Sequence, residues 1–197
     1  DCDSRAGALL IIEVDGDPPS CELQAQRVMD ACADVGGLSV QLAKDEAERE
    51  RLWASRRQMS NAVRKLSRHK VSEDVVVPRQ QIPRLLELVW SSCEKLGLRT
   101  LSYGHAGDGN LHVNFLWDHD EELPKVDAAI AQLFSDTLSL GGTLTGEHGI
   151  GMLKAPFLPL EQSAELLTLQ RGLKDAFDPK GLLNPGKIFS SEHHRAC

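Results

Sequence analysis

The stretch RTLSYGHAGDGNLHVNFLW, residues 99–117, carries two segments of alternating apolar and polar residues on either side of a glycine-rich turn. An Asp-Gly pair between such segments, here at 108–109, is a strong hairpin signal because a type I′ turn needs two residues with positive φ. We expect two antiparallel strands with His105 directly opposite His112. The two imidazoles would then lie on one face with Cβ atoms about 5 Å apart, a spacing that allows both to bind one metal ion.

The rest of the chain mixes helical and strand patterns. Helices are predicted over residues 20–35, 45–68, 82–96, 124–140 and 163–177, and further strands over 8–14, 38–43 and 73–78. Amphipathic helices combined with a hairpin favour an α+β fold, in which an antiparallel sheet has helices packed on one face. A ferredoxin-like β-α-β-β-α-β core fits this order best. No internal boundary is evident, so we expect one domain over residues 1–197.

Composition and charge restrict the class of protein. The formal net charge of −7 argues against nucleic acid or an anionic membrane as a partner, because both require clustered Lys and Arg. The five cysteines form no C-x-x-C pair, a pattern that favours a reducing compartment. We therefore expect a cytoplasmic protein, with the membrane surface or, in a eukaryote, the mitochondrial matrix as alternative locations.

A second glycine-rich stretch, TGEHGIG at residues 145–151, contains Glu147 and His148. Its glycines would let the backbone approach another group closely. Two imidazoles do not complete a catalytic metal site, because such sites usually have three protein ligands. His105, His112 and Glu147 together predict a site suited to Zn²⁺, Mn²⁺ or Fe²⁺, with positions left open for substrate. His148 would then be the proton acceptor.

From these residues alone, two other functions stay open. A metal-dependent hydrolase also uses His and Glu ligands, and it would act without any further domain. A non-catalytic interaction or oligomerisation domain would hold a structural metal or none. Chelation separates the possibilities, because removal of a structural ion unfolds the protein whereas removal of a catalytic ion weakens only substrate binding.

Three longer motifs indicate a family. The motifs GHAGDGNLHVN (104–114), GEHGIGMLK (146–154) and DPKGLLNPGKIF (178–189) resemble the C-terminal half of the FAD-linked oxidases of the vanillyl-alcohol oxidase type. The nearest branch is that of the glycolate oxidase flavin subunit, D-lactate dehydrogenase and D-2-hydroxyglutarate dehydrogenase. Because LWASRRQMSNAV (52–63) and EDVVVP (73–78) resemble further landmarks in the same order, the resemblance covers nearly the whole chain.

The resemblance implies a cap domain that covers the flavin and supplies substrate-binding groups, while a separate N-terminal domain, absent from this sequence, holds FAD. The implied reaction oxidises a D-2-hydroxy acid to the 2-oxo acid with hydride transfer to FAD. We expect this chain alone to be inactive. Its partners would be the FAD-binding domain, an electron acceptor that the sequence does not identify, and a second copy in a homodimer.

The resemblance also assigns individual residues. The implied set comprises the metal ligands His105, His112 and Glu147, the base His148, the substrate contacts Arg56, Ser60 and Asn114, and the flavin-side residues Asn184 and Lys187. One position departs from the dicarboxylate-oxidising branch, which has a lysine where this chain has Ser72. Loss of that charge favours a monocarboxylate such as D-lactate or glycolate, although Lys70 lies two residues away and could replace it.

Overall fold

The computed structural model describes residues 5–189, in two compact units whose boundary falls between Ala62 and Val63. The sequence pattern did not indicate this boundary, because it lies inside a continuous helix. Among the described residues, no helix is both long and apolar enough to span a bilayer.

The first unit is built on two helices that the sequence predicts, α1 (Pro18–Asp34) and α2 (Glu46–Arg64), the last two residues of α2 belonging to the second unit. Helix α1 begins earlier than predicted because Asp17, rather than Ser20, is its N-cap. The Asp17 carboxylate accepts a hydrogen bond from the backbone N–H of Ser20 at 3.1 Å, which satisfies one of the free N–H groups of the first turn.

The strands predicted at 8–14 and 38–43 are wrong, since neither segment has strand geometry. An apolar run indicates a strand only if a neighbouring strand accepts and donates its backbone hydrogen bonds, and no such ladder forms here. Leu9 and Leu10 are each 63% exposed, so the run is not buried as a central strand would be. The apolar composition of these segments therefore does not by itself produce a strand.

The second unit contains the sheet and the remaining helices. In chain order its elements are β1 (His69–Val76), α3 (Ile82–Leu96), β2 (Arg99–His105), β3 (Asn110–Trp117), α4 (Leu123–Ser139), the short α5 (Leu158–Glu161) and α6 (Ala164–Phe177). Gly97 ends α3 in the left-handed conformation, with φ of 68°, as its position after the last apolar residue predicts. The three helices and the two hairpin strands predicted here are present as α3, α4, α6, β2 and β3, and the strand predicted over 73–78 is present as β1, which begins four residues earlier.

The three strands are antiparallel in the order β1-β3-β2. One face of the sheet packs against α3 and α4, and its core includes Val113 and Phe115 from β3 with Leu85 and Phe134 from the helices, each at most 1% exposed. This confirms the α+β fold with helices on one face. Between α4 and residue 189, a single bridge pairs Thr143 with β1, so in this described part the last strand of a ferredoxin-like order is reduced to one residue pair.

The hairpin register differs from the predicted one. His105 pairs with Asn110, and His112 pairs with Tyr103, so the loop has four residues, 106–109, instead of two. Because the shift is two residues, every side chain keeps its face. His105 and His112 therefore still share a face, as diagonal neighbours with ring centroids 6.0 Å apart.

The longer loop follows from a tertiary contact at its tip. The Gly109 carbonyl accepts a hydrogen bond from the Val77 N–H at 3.2 Å, and a Cβ at Gly109 would lie 1.9 Å from the Val77 carbonyl oxygen. Within the loop, the Asp108 carboxylate accepts from the Asn110 N–H at 3.2 Å. Contact with the end of β1, which the local sequence does not show, thus selects the wider loop.

Candidate metal centre

The face of the sheet opposite the helices carries the candidate site. Asp74 on β1, His112 on β3 and Tyr103 on β2 form one row of paired residues across the three strands. Paired residues of antiparallel strands project to the same side, so these three side chains share the face that the core does not use. The sheet therefore separates the apolar core from a polar row.

The predicted ligands lie together in the structure. His105 ends β2, His112 lies in β3 and Glu147 follows in the loop after α4, and each offers one ligand atom within 4.8 Å of the other two. His112 Nε2 and Glu147 Oε1 are 3.2 Å apart. Two imidazole nitrogens and one carboxylate oxygen at this spacing fit Zn²⁺, Mn²⁺ or Fe²⁺ and leave positions open for another ligand.

His112 is the most enclosed of the three predicted ligands. It is 7% exposed, and burial lowers its pKa, although the nearby Glu147 carboxylate opposes that effect. The lower pKa favours the neutral imidazole, which is the form that binds a metal ion. The rings of His148 and Tyr103 lie 5.2 and 5.5 Å away between centroids, so aromatic neighbours restrict the orientation of the His112 ring.

The loop that carries Glu147 is fixed by the buried side chain of Asp74. One carboxylate oxygen, Asp74 Oδ2, accepts hydrogen bonds from the backbone N–H groups of Gly146, Glu147 and His148 at 2.9, 2.7 and 3.0 Å. Burial alone would raise the pKa of Asp74, but the ammonium of Lys154 and these N–H groups outweigh it and hold that pKa far below its ordinary value. Asp74 is therefore ionised.

Lys154 is the cation that compensates this buried charge. It is 5% exposed, and its Nζ donates to Asp74 Oδ1, the Asp74 carbonyl and the Leu144 carbonyl at 2.5, 2.7 and 2.8 Å. All three N–H groups of the ammonium thus have acceptors. The carboxylate of Glu73 lies farther away, at 3.8 Å, and burial raises the pKa of Glu73 to about 7 despite the lysine.

Gly146 brings this loop against β3. A Cβ at that position would lie 2.5 Å from the Asn110 side-chain oxygen, so only glycine allows the approach without displacement of the asparagine. Asn110 is 5% exposed, and among the described residues its Oδ1 has no hydrogen-bond partner. The predicted need for glycine in this loop therefore has a specific cause.

A sequence profile described as FAD linked oxidases, C-terminal domain, matches residues 1–188. The chain belongs to this family.

Its relatives in the FAD-linked oxidase family include two proteins named glycolate oxidase subunit GlcD. That of Bacillus subtilis strain 168 is 36% identical over 191 residues, which cover 96% of this chain and 41% of the relative. That of Escherichia coli K12 is 35% identical over 193 residues, covering 97% and 39%. A D-lactate dehydrogenase of Anaerostipes hadrus is 31% identical over 193 residues, covering 94% and 40%. The chain thus spans about two fifths of the length of these relatives.

Three further site residues implied by the resemblance belong to both units of this FAD-linked oxidase C-terminal domain. Arg56 and Ser60 lie one turn apart on α2 in the first unit. Asn114 is fully buried on β3. Its amide nitrogen donates to the carbonyls of Leu101 and His112 at 2.9 and 3.1 Å, while its Oδ1 has no hydrogen-bond partner in the described part of the chain.

The two residues expected on the flavin side lie in the exposed turns after α6. Asn184 has φ of 46°, a left-handed conformation that asparagine tolerates better than most residues. The Lys187 ammonium lies 2.7 Å from the sulfur of Met152, in the loop that follows Glu147. The contact of these two residues with the flavin or the FAD-binding domain remains a prediction.

Sequence reasoning missed the roles of Asp74 and Lys154. The available signal was the Glu73-Asp74 pair at the start of the apolar run VVV, because acids inside a buried strand need a partner. The lysine of GEHGIGMLK was the only cation in that motif, but nothing in the spacing relates it to a strand 80 residues earlier.

Proposed function

We propose that the chain supplies the substrate- and cation-binding part of an FAD-dependent dehydrogenase that oxidises a D-2-hydroxy acid, D-lactate or glycolate, to the 2-oxo acid. The observation that carries this proposal is the convergence of His105, His112 and Glu147 ligand atoms within 4.8 Å. The names of the relatives, glycolate oxidase subunit and D-lactate dehydrogenase, support the substrate class. FAD would be held mainly by an FAD-binding domain, and this chain alone would not turn over.

Within this proposal, the chain's own residues orient the substrate and accept a proton. When bound, a divalent cation would supply Lewis-acid polarisation and FAD would supply the hydride acceptor. His148 Nδ1 lies 3.4 Å from Asp74 Oδ1, a contact that favours a proton on Nδ1. The other nitrogen, Nε2, lies 3.8 Å from Glu147 Oε1. His148 Nε2 is therefore the atom that accepts the substrate hydroxyl proton.

Recognition of the substrate carboxylate is assigned to Arg56, because a guanidinium binds a carboxylate through two parallel hydrogen bonds. Ser60 lies one turn along α2, and Asn114, two residues after His112 on β3, is the third predicted substrate contact. Ser72 in place of a lysine favours substrates with a single carboxylate. Asn184 and Lys187 would contact the FAD-binding domain or its flavin.

The proposal is tested by titration of the chain with Co²⁺, whose visible absorption reports inner-sphere ligands. His112→Ala and Glu147→Gln should each weaken binding by more than the roughly 10- to 100-fold loss that follows removal of an outer-shell partner. His119→Ala is the matched control, since His119 is exposed and precedes a separate turn. Equal Co²⁺ affinity in all four proteins would exclude the cluster as a cation site.

Two further measurements separate the alternative functions. Ester or amide hydrolysis by the Zn²⁺-loaded chain without FAD would indicate a metal-dependent hydrolase. Unfolding of the chain on addition of a chelator would indicate a structural ion in an interaction domain. Under our proposal neither occurs, and D-lactate or glycolate binds the cation-loaded chain more tightly than the cation-free chain.

A further inference from the structure

We infer that Asp74 and Lys154 form a buried clamp whose role is to position Glu147 and His148 for cation and substrate binding. This inference rests on the proposed function, because the cation site is what the clamp would organise. Neither residue belongs to the ligand cluster itself. Asp74 and Lys154 are therefore positioning residues.

The first half of the clamp is the contact between Asp74 and the loop backbone. Three consecutive N–H groups, those of residues 146–148, converge on a single carboxylate oxygen at 2.7–3.0 Å. Convergence of successive N–H groups on one anion fixes the backbone torsions between them. The backbone from which the Glu147 side chain projects is thus held from both sides.

The hydroxyl of Thr145 adds the residues on either side of 146–148, Thr145 and Gly149, to this arrangement. It lies 3.3 Å from each oxygen of the Asp74 carboxylate and accepts a hydrogen bond from the Gly149 N–H at 2.9 Å. The loop from Thr145 to Gly149 is therefore arranged around one buried charge.

The second half of the clamp is Lys154, which ties that charge to the start of the loop. Its ammonium joins the Asp74 carboxylate to the Leu144 carbonyl. Immediately before Leu144, the bridge between Val76 and Thr143 attaches the loop to the edge of β1. The segment that carries Glu147 is therefore fixed to β1 at both ends, through Thr143 at its start and Lys154 at its end. Strand β1 pairs with β3, the strand that carries His112.

A role in fold stability alone does not account for this arrangement. A buried ion pair is often no more stabilising than apolar side chains of the same volume. Apolar side chains could not accept three N–H groups, which would then be buried without partners or would move toward solvent. What the charged pair adds is a single conformation of the loop beside His112.

The chain contains a matched control for this inference. Asp178, at the end of α6, is also buried, accepts from the N–H groups of Leu182 and Leu183 at 2.9 and 2.8 Å, and pairs with Lys174. The turn that it holds carries no predicted cation ligand. Asp74→Asn and Asp178→Asn therefore remove the same kind of contact, but only the first touches the loop with Glu147.

The experiment compares the 197-residue chain with these two variants and with Lys154→Met and Thr145→Val, the last being the mildest change. Visible absorption in a Co²⁺ titration gives the affinity and the shape of the coordination band. Hydrogen exchange measures the amides of 146–148 and of 182–183. We expect Asp74→Asn and Lys154→Met to weaken Co²⁺ binding about 10- to 100-fold and to alter the band, Thr145→Val to act in the same direction, and Asp178→Asn to leave both unchanged.

The outcomes separate the two proposals. Faster exchange at 146–148 with unchanged Co²⁺ affinity, or unchanged exchange in Asp74→Asn, overturns the positioning role. If Asp74→Asn does not fold, Thr145→Val decides by the same criteria. A wild-type chain that binds no Co²⁺ overturns the proposed cation site instead, and the exchange rates then still show whether Asp74 holds the loop.

Discussion

Glu73 and Asp74 are adjacent acids on β1 whose pKa values move in opposite directions. Burial raises the pKa of Glu73 to about 7, whereas hydrogen bonds from Lys154 and the loop N–H groups keep the pKa of Asp74 far below its ordinary value. Their side chains lie on opposite faces of the sheet, and both are nearly inaccessible to solvent. Hydrogen bonding rather than burial therefore decides which of the two acids is ionised.

Glu73→Gln should make the free energy of unfolding less sensitive to pH. The unfolded chain releases the Glu73 proton near pH 4.5 and the folded chain near pH 7, so between these values the folded state binds more protons and stability falls as pH rises. The variant should be more stable than wild type by up to about 3 kcal/mol at pH 8, with the difference vanishing near pH 4.5. Urea unfolding between pH 4.5 and 8 measures this difference in the free energy of unfolding, and Glu94→Gln, at an exposed position, is the control. A difference that stays constant across the pH range would contradict the raised pKa of Glu73.

Lys154→Met should be strongly destabilising for a different reason. Removal of one partner of a buried ion pair leaves an uncompensated charge and costs about 3–5 kcal/mol. Lys174→Met is the comparison, because a third of the Lys174 side chain is exposed and such pairs contribute about 1 kcal/mol or less. Urea unfolding at pH 7 gives the free energy of unfolding of both variants. Equal losses would show that the buried Asp74 charge does not need the Lys154 ammonium for compensation.

The conformation of the hairpin loop is determined by its contact with Val77, directly after β1. Gly109 has φ of 80° and lies against the Val77 carbonyl, whereas Gly107, in the same loop, has open space around it. Gly109→Ala should therefore destabilise the chain by about 2 kcal/mol or more, since positive φ costs an L-residue about 1–2 kcal/mol before any clash. Gly107→Ala should change stability by less than about 0.5 kcal/mol. Thermal unfolding of both variants checks this, and similar losses would refute the docked loop.

The same loop shows how far the sequence specifies the elements. Periodicity predicted α3 and α4, each of which buries one face, and also α6, none of whose residues is buried. The alternation around Asp108 predicted β2 and β3. The register was wrong by two residues because the Val77 contact is tertiary, yet the histidines kept their shared face because a two-residue shift preserves it. The predicted strands at residues 8–14 and 38–43 failed because strand pairing depends on a distant partner.

For the candidate site, residue chemistry was more informative than local pattern. Imidazole and carboxylate groups are common metal ligands, and here they lie in glycine-rich stretches. His105, His112 and Glu147 could therefore be proposed together before their distances were known. Asp74 and Lys154 could not be related, because a buried pair 80 positions apart leaves no periodic signal. Supporting contacts of this kind become visible only when the fold brings a strand and a later loop together.

In the second unit, the sheet separates the apolar core from the candidate cation site. The core formed by Val113, Phe115 and the α3 and α4 side chains lies on one face, and the ligand cluster lies on the other. No residue of the cluster belongs to this core, so we expect the folded state not to depend on an ion. The loop with Glu147 is held instead by Asp74.

The cation-free chain should accordingly remain folded, and a cation should add stability only by binding. At a free Co²⁺ concentration 100 times the dissociation constant, the gain is about 2.7 kcal/mol, and Glu147→Gln should abolish most of it while leaving the cation-free unfolding temperature unchanged. Differential scanning calorimetry with and without chelator measures both quantities. A chain that loses its cooperative transition on chelation would contradict this division, because the ion would then be holding the fold that the apolar face is expected to hold alone.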